Sequence, residues 1–372
     1  MRTFSCRNCG HALFFESTSC VRCHSPAGVV DGLRTVALRG TDGPHDDRPI
    51  DDGSGDDTTF APIGATRTLR CCSNARHGAC NWMVDADGPD AFCLACRHNL
   101  VIPDLSEPSN LAAWKRMEVA KHRLIYMLLR LGLPLFTRTD DPDEGLGFEF
   151  KADMPGAAKV MTGHANGLIT IDLAEADDAE REKRRAAMGE PYRTLIGHFR
   201  HEVGHWYWDR LARDGDEATL ARVRETFGDD REDYGAALQR HYEQGPPADW
   251  PERFVSSYAT AHPWEDFAET WAHYLHIVDT LDTAAGYGMR VAAPGDGDAG
   301  EIGQGVDFDP YAEPSVDRIL DAWNPLTVAL NSINRSMGLP DLYPFVITPP
   351  IRAKLAVVHD LVRGAGGTQP RP

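Results

Sequence analysis

The stretch LIGHFRHEVGHWYWDRL, residues 195–211, decides how this chain is read. Phe199, Val203 and Trp206 recur at helical spacing, and between them His201, Glu202 and His205 spell H-E-x-x-H. On a helix turning about 100° per residue, His201 and His205 lie one turn and about 40° apart, so both imidazoles reach one ion. Glu202 sits about 100° from His201, beside the ion but off the ligand axis, where a general base takes a proton from water. Pro191 near its start and Gly215 past its end bracket a helix over about 191–213. The pattern is short, and a second feature is needed to support it.

That feature is HPWEDFAETWAHYLHIVDTL, 262–281, which predicts a helix beginning at Pro263. Glu265, Glu269, His273 and His276 fall within about 80° of one another on it. Acids and histidines facing inward are costly unless they meet a cation or a hydrogen-bonding network. Trp264, Phe267, Trp271 and Leu275 surround them, which argues for a packed rather than a solvated helix. Glu265 is expected as the third zinc ligand. Glu269, one turn later, is expected to accept a hydrogen bond from a ligand histidine and orient its ring. Two alternatives stay open: the glutamates exchange roles, or His273 serves as the ligand. Tyr258, seven residues before Glu265, is placed to donate to a developing oxyanion, with a packed core tyrosine as the competing reading. His198 is read as a supporting or core residue and His164, in TGHANG, as a turn residue.

All nine cysteines lie between positions 6 and 96. Cys6, Cys9, Cys20 and Cys23 form C-x2-C-x10-C-x2-C, two knuckles that bring four thiolates to one tetrahedral zinc. A looser second set follows. Cys93 and Cys96 make a knuckle, and Cys80 with one of Cys71 or Cys72 completes it; Cys72, in C-S-N-x5-C-N-W, is the expected ligand, leaving Cys71 spare. The expected cofactors are therefore Zn2+ ions, one catalytic and one or two structural. So small a module needs metal because it buries too little apolar surface alone.

The chain of 372 residues is 42% hydrophobic and 25% charged, which fits a folded protein of two or three domains. Four segments are expected: a four-cysteine zinc ribbon over 1–40, an acidic flexible linker over 41–66, a second four-cysteine zinc module over 67–105, and a metallopeptidase-type domain over 106–372. The net charge of −18 argues against nucleic acid along the whole chain. Arg2, Arg7 and Arg22 leave a basic front module as an alternative. No apolar run is long enough for a membrane helix, and MRTFSCRNCG has no signal-peptide core, so a cytoplasmic location is expected. Elsewhere, 109–131 predicts a helix stopped by Gly132 and Pro134, and 145–150 and 167–173 predict strands. The second of these is an ordinary core strand or an edge able to pair with an extended peptide. Residues 174–190 are helical or irregular, 286–309 a loop, and the tail from 315 mostly helical.

H-E-x-x-H with a downstream Glu-x3-acid resembles the gluzincin metallopeptidases. SYATAHPWEDFAE, 257–269, is similar to the matching stretch of lethal-factor-like gluzincins, which implies the same roles for Tyr258, Glu265 and Glu269. The whole chain more closely resembles a family of zinc-binding metallopeptidases with an N-terminal zinc ribbon. The resemblance rests on CRNCG, CNW, TGHANGLITI, EADD, GEPYRTLIGHFRHEVGHWYWDRL, SYATAHPWEDFAETWAHYLHIVDTL and NRSMGLPDLYPFV. The acidic 41–66 segment departs from it as an insertion. The resemblance implies an α+β, mainly helical zincin-like domain with a small mixed sheet behind zinc-ribbon β modules. The expected function is hydrolysis of peptide or protein substrates by zinc-activated water, with Glu202 as base. A zinc hydrolase of non-peptide amides and a zinc-ribbon adaptor with an inert core, binding a protein partner, are the alternatives.

Overall fold

The computed structural model describes residues 2–41, 50, 58–153, 156, 159–188, 194–291 and 305–366. The fold is α+β: a β-rich N-terminal region with two four-cysteine clusters, then a mainly helical region with a small mixed sheet. The chain divides into two compact units, Met1–Arg130 with Leu135–Glu180, and Leu131–Pro134 with Arg181–Pro370.

The first unit begins with a hairpin of β1 (Phe4–Ser5) and β2 (Ala12–Leu13). An antiparallel sheet follows, in the order β3 (Ala27–Val30), β4 (Arg34–Gly40), β5 (Thr59–Pro62), β6 (Leu69–Cys71) and β7 (Met83–Asp85). Strand β5 lies inside the stretch expected as flexible linker. Phe60 is 5% exposed and packs with Val30, Leu38 and Leu69, and this burial outweighs the Asp-rich flank. Residues 42–49 and 51–57 of that stretch lie outside the described residues.

After β8 (Asn99–Val101), helix α1 runs from Pro108 to Leu131, as the 109–131 pattern predicts. It packs on the cysteine-bearing region within this unit: Tyr126 meets Phe15 at 5.0 Å between centroids, and Arg123 pairs with Glu16 at 2.6 Å. The mixed sheet is completed by β9 (Gly147–Lys151), β10 (Gly163–Ala165) and β11 (Leu168–Asp172), in the order β10-β11-β9-β8. Alternate residues Phe148, Phe150, Ile169 and Ile171 are fully buried. Asn166 and Gly167 turn β10 into β11 at φ of 48° and 79°, the left-handed pair that a tight hairpin requires. One open alternative closes and one expectation changes here. Strand β11 is internal, between β9 and β10, so it offers no free edge. His164 belongs to β10, and its Nε2 accepts the Gly167 N–H at 2.9 Å across the turn.

The second unit is helical. Helix α2 (Asp178–Met188) precedes α3 (Leu195–Trp208), which carries H-E-x-x-H. Helix α3 starts later than the sequence suggested, at a cap where Thr194 Oγ1 accepts Gly197 N–H at 3.1 Å; Pro191 lies outside the described residues. A π-type turn, Asp209–Arg213, ends it. Then come α4 (Glu217–Phe227), α5 (Tyr234–Gln244), α6 (Trp250–Arg253), α7 (Pro263–Gly286), α8 (Val316–Ser336) and α9 (Pro349–Gly366). Residues 292–304 of the expected 286–309 loop lie outside the described residues.

Helix α7 is the axis of this unit and packs against α3, α4, α8 and α9. Its polar residues are buried and partnered: Asp266 with Lys354 at 2.6 Å, His273 with the Tyr343 hydroxyl at 2.6 Å, and His276 with Arg200. Among the described residues, no helix is long and apolar enough to cross a membrane.

Candidate metal centre

Helices α3 and α7 approach closely because small residues face each other. A Cβ added at Gly204 would lie 3.1 Å from Ala268 Cα and 3.2 Å from Trp271 Cβ. Packing continues around them through Tyr207 stacked on Trp271 at 4.7 Å. That approach puts the α7 carboxylates within reach of the α3 imidazoles.

His201, His205 and Glu265 come together as one buried donor group. His201 Nε2 lies 3.2 Å from His205 Nε2, 3.0 Å from Glu265 Oε2, and the third side, His205 Nε2 to Glu265 Oε2, is 3.5 Å. Ligands at roughly 2.0–2.1 Å from a tetrahedral zinc stand about 3.3 Å apart, so the triangle has the right size. Glu265 Oε2 is buried, with His201 Nε2 at 3.0 Å and His205 Nε2 at 3.5 Å as its neighbours. The charges point the same way. Burial opposes ionisation of His201, yet hydrogen bonds to Glu265 and Glu269 raise its pKa well above the ordinary imidazole range. Burial also opposes ionisation of Glu265, yet His205 and His201 hold it well below the usual carboxylate range. Three convergent, buried electron-pair donors at this spacing fit a divalent cation.

The two glutamates face different ring atoms. Glu265 faces both Nε2 atoms. Glu269 Oε1 lies 2.6 Å from His201 Nδ1, the opposite side of the ring, and its Oε2 accepts from Ser256 Oγ at 2.6 Å. Burial pushes Glu269 up, but the His201 hydrogen bond, the His201 and His273 charges and the Ser256 hydrogen bond together hold it at about 2. His273 is bonded to Tyr343 and does not join the donor group, and neither does His198.

Tyr258 opens a short 3-10 turn, Tyr258–Thr260, and its ring centroid is 6.0 Å from that of His201. Burial and the Glu265 charge raise its pKa, so it remains a hydroxyl donor. Glu202 is 8% exposed on α3. Its charge acts on both Tyr258 and Tyr234. Tyr234 was missed by the sequence reading. It is the first residue of α5, and its hydroxyl donates to Glu265 Oε1 at 2.6 Å, leaving Oε2 for the imidazoles. Trp264 closes the other side, its ring 3.8 Å from that of His205.

Both cysteine clusters also close. In the first, Cys6 Sγ to Cys23 Sγ is 3.7 Å and Cys9 Sγ to Cys20 Sγ is 3.6 Å; in the second, Cys80 Sγ to Cys93 Sγ is 3.7 Å. Thiolates at about 2.3 Å from a tetrahedral zinc stand roughly 3.8 Å apart. The two knuckles of the first cluster turn alike, with Gly10 N–H donating to Cys6 O and His24 N–H to Cys20 O, both at 2.8 Å. Cys72, not Cys71, joins Cys80, Cys93 and Cys96. Neighbours on a strand point to opposite faces, and Cys71 Sγ turns to Ile50 O at 3.6 Å.

Two cysteine clusters of zinc-ribbon type and a His-His-Glu group across two helices are, as a class, the donor sets of a zinc-binding protein. Residues 110–361 match the family model described as "Putative zinc-binding metallo-peptidase", and the chain belongs to that family. Residues 3–107 match a zinc-ribbon domain. Similar proteins occur in Mycobacterium bovis and in two strains of Mycobacterium tuberculosis. Each is 42% identical over 364 residues, covering 97% of this chain and 95% of the relative, and each is described as an uncharacterized protein. No solved structure matches the chain.

Proposed function

We propose that this chain is a zinc-dependent peptidase, with its catalytic zinc held by His201, His205 and Glu265. The observation that carries the reading is the triangle of His201 Nε2, His205 Nε2 and the buried Glu265 Oε2, with Glu202 one residue along the same helix. A zinc bound there lowers the pKa of water to about 7 and polarises a carbonyl. Glu202 takes the proton of the attacking water and returns it to the leaving amine. The Tyr258 hydroxyl donates to the oxyanion that forms from the scissile carbonyl. Glu269 fixes the His201 ring, and Tyr234 holds Glu265 by one oxygen. Peptides are the proposed substrates.

The test is hydrolysis of a mixed peptide library by the zinc-loaded protein, compared with Glu202→Gln. The variant is expected to keep its zinc and lose about 10²–10⁴-fold in rate, the usual worth of a general base. Cleavage that survives unchanged in Glu202→Gln would contradict the assignment of the base. Hydrolysis of small amides without cleavage of any peptide would contradict the substrate class.

A further inference from the structure

The proposed chemistry needs a peptide bond beside the ion, yet the site is closed. The side chains of His201, His205 and Glu265 are 13%, 4% and 1% exposed, and Glu202 is 8% exposed. Among the described residues, three walls stand against it. Trp264 covers His205 and belongs to α7, the buried axis of the unit. Tyr258 belongs to a turn anchored by the buried Ser256, whose hydroxyl donates to Glu269. The third wall is α5, and it is built differently.

Of the eleven residues of α5, only Ala237 is buried. The helix meets the stretch 258–265 through ring edges and hydrogen bonds. The Tyr234 hydroxyl donates to Glu265 Oε1 at 2.6 Å, and its ring stands edge-on to His262 and Trp264, at 5.3 and 5.7 Å between centroids. About two turns further along the same face, His241 lies edge-on to Tyr258 at 6.0 Å. Thr260 Oγ1 gives its one hydrogen to Ser257 O at 2.7 Å, so in the 3.2 Å contact with His241 Nδ1 the imidazole N–H donates. Just ahead of the helix, His262 Nδ1 accepts Trp264 N–H, and its Nε2 donates to Glu232 O at 3.2 Å.

Glycines stand at both ends of this segment. Gly228 has φ 110° and ψ −179°, and Gly245 has φ 73° and ψ 177°. Both lie in a backbone region that is essentially glycine's alone. A Cβ at Gly245 would meet nothing within 4 Å, so conformation and not space calls for glycine there.

We propose that residues 229–244 form a hinged lid over the metal centre, turning at Gly228 and Gly245, with Tyr234 and His241 as its latches. Closed, it excludes water and fixes Glu265 through Tyr234; open, it admits substrate and ion. The lid rests on the metal centre proposed above, and not on peptides being the substrate. A latch made of protein alone acts equally with and without the ion. Loosening it therefore speeds entry and exit of the ion by one factor and leaves the affinity alone.

The experiment uses the full-length zinc-loaded protein. Zinc loss to 4-(2-pyridylazo)resorcinol and zinc uptake are timed by stopped flow, following the phase that Glu265→Ala lacks, and the dissociation constant is measured by chelator competition. Thr260→Val removes the oxygen that His241 holds and nearly keeps the side-chain volume. It is expected to speed loss and uptake alike by about 3–10-fold, the worth of one hydrogen bond, with the dissociation constant within about twofold of the parent. Thr260→Ser, which keeps the hydroxyl, should match the parent. Gly245→Ala strains the closed cap without a clash and should speed both by about tenfold or more. Unchanged rates in either Thr260→Val or Gly245→Ala overturn the lid. Faster loss with affinity falling in proportion also overturns it, because that marks a static support. Gly245→Ala decides where Thr260→Val does not fold. A parent that takes up no ion at this group overturns the centre and the lid together.

Discussion

At the scale of single residues, the centre depends on which oxygen and which nitrogen each side chain offers. Glu265 is bonded through Oε1 to Tyr234, and His201 through Nδ1 to Glu269, so each presents its remaining donor atom inward. Tyr234 and Tyr258 therefore differ in kind. Tyr258→Phe is expected to keep zinc and slow turnover by about 2.7–4 kcal/mol, the cost of one oxyanion donor. Tyr234→Phe is expected to weaken zinc binding about 10–100-fold, because Glu265 loses the bond that orients it. Steady-state kinetics beside a chelator titration separates the two. Equal loss of zinc from both variants contradicts the division of roles. The grouping of His201 with His205 was legible in the sequence because H-E-x-x-H is local. The choice of Cys72 was legible from C-S-N-x5-C-N-W, and strand alternation explains it: Cys71 points the other way to Ile50. Tyr234 was not legible. It stands 31 positions before Glu265, at the start of a helix whose pattern, YGAALQRHYEQ, says nothing of a metal.

At the scale of elements, the decisive feature is the close approach of α3 and α7. Gly204 is costly within a helix for its flexibility, by about 0.5–1 kcal/mol relative to Ala. Here the added methyl would meet backbone and the Trp271 side chain at 3.1–3.2 Å, and neither can move aside easily. Gly204→Ala is expected to destabilise the fold by about 1–3 kcal/mol through overpacking. It should also weaken zinc binding by moving Glu265 away from His201 and His205. Thermal unfolding with and without chelator measures both. A variant as stable as the parent, with undiminished zinc affinity, contradicts the packing argument. Both helices were readable from period and caps. The start of α3 shifted to the Thr194 cap, whereas α7 begins at Pro263 as predicted, capped by His262, whose Nδ1 accepts Trp264 N–H at 3.0 Å. Strand β5 was hidden because only four residues, Thr59–Pro62, carry it beside an Asp-rich stretch. Its pairing to β4 and β6 is a long-range property that local composition does not reveal.

At the scale of the whole molecule, three donor groups among the described residues have the geometry of zinc sites, two of four thiols and one of His201, His205 and Glu265. The cysteine clusters were legible from spacing alone, but the share of α1 in the second was not. Glu118, Lys121 and His122 look in sequence like ordinary polar positions of a long helix, and only the structure shows them buried, with His122 and Glu118 beside the sulfurs and Lys121 paired to Glu118. The central claim is that α3 and α7 jointly hold one metal ion apart from the ribbon sites. Its most direct test is the zinc content of the purified full-length protein beside that of His201→Ala and Glu265→Ala. Four-coordinate site counting predicts about three zinc ions per chain for the parent and about two for each variant. A parent chain holding only two, or variants that keep all three, would contradict the account.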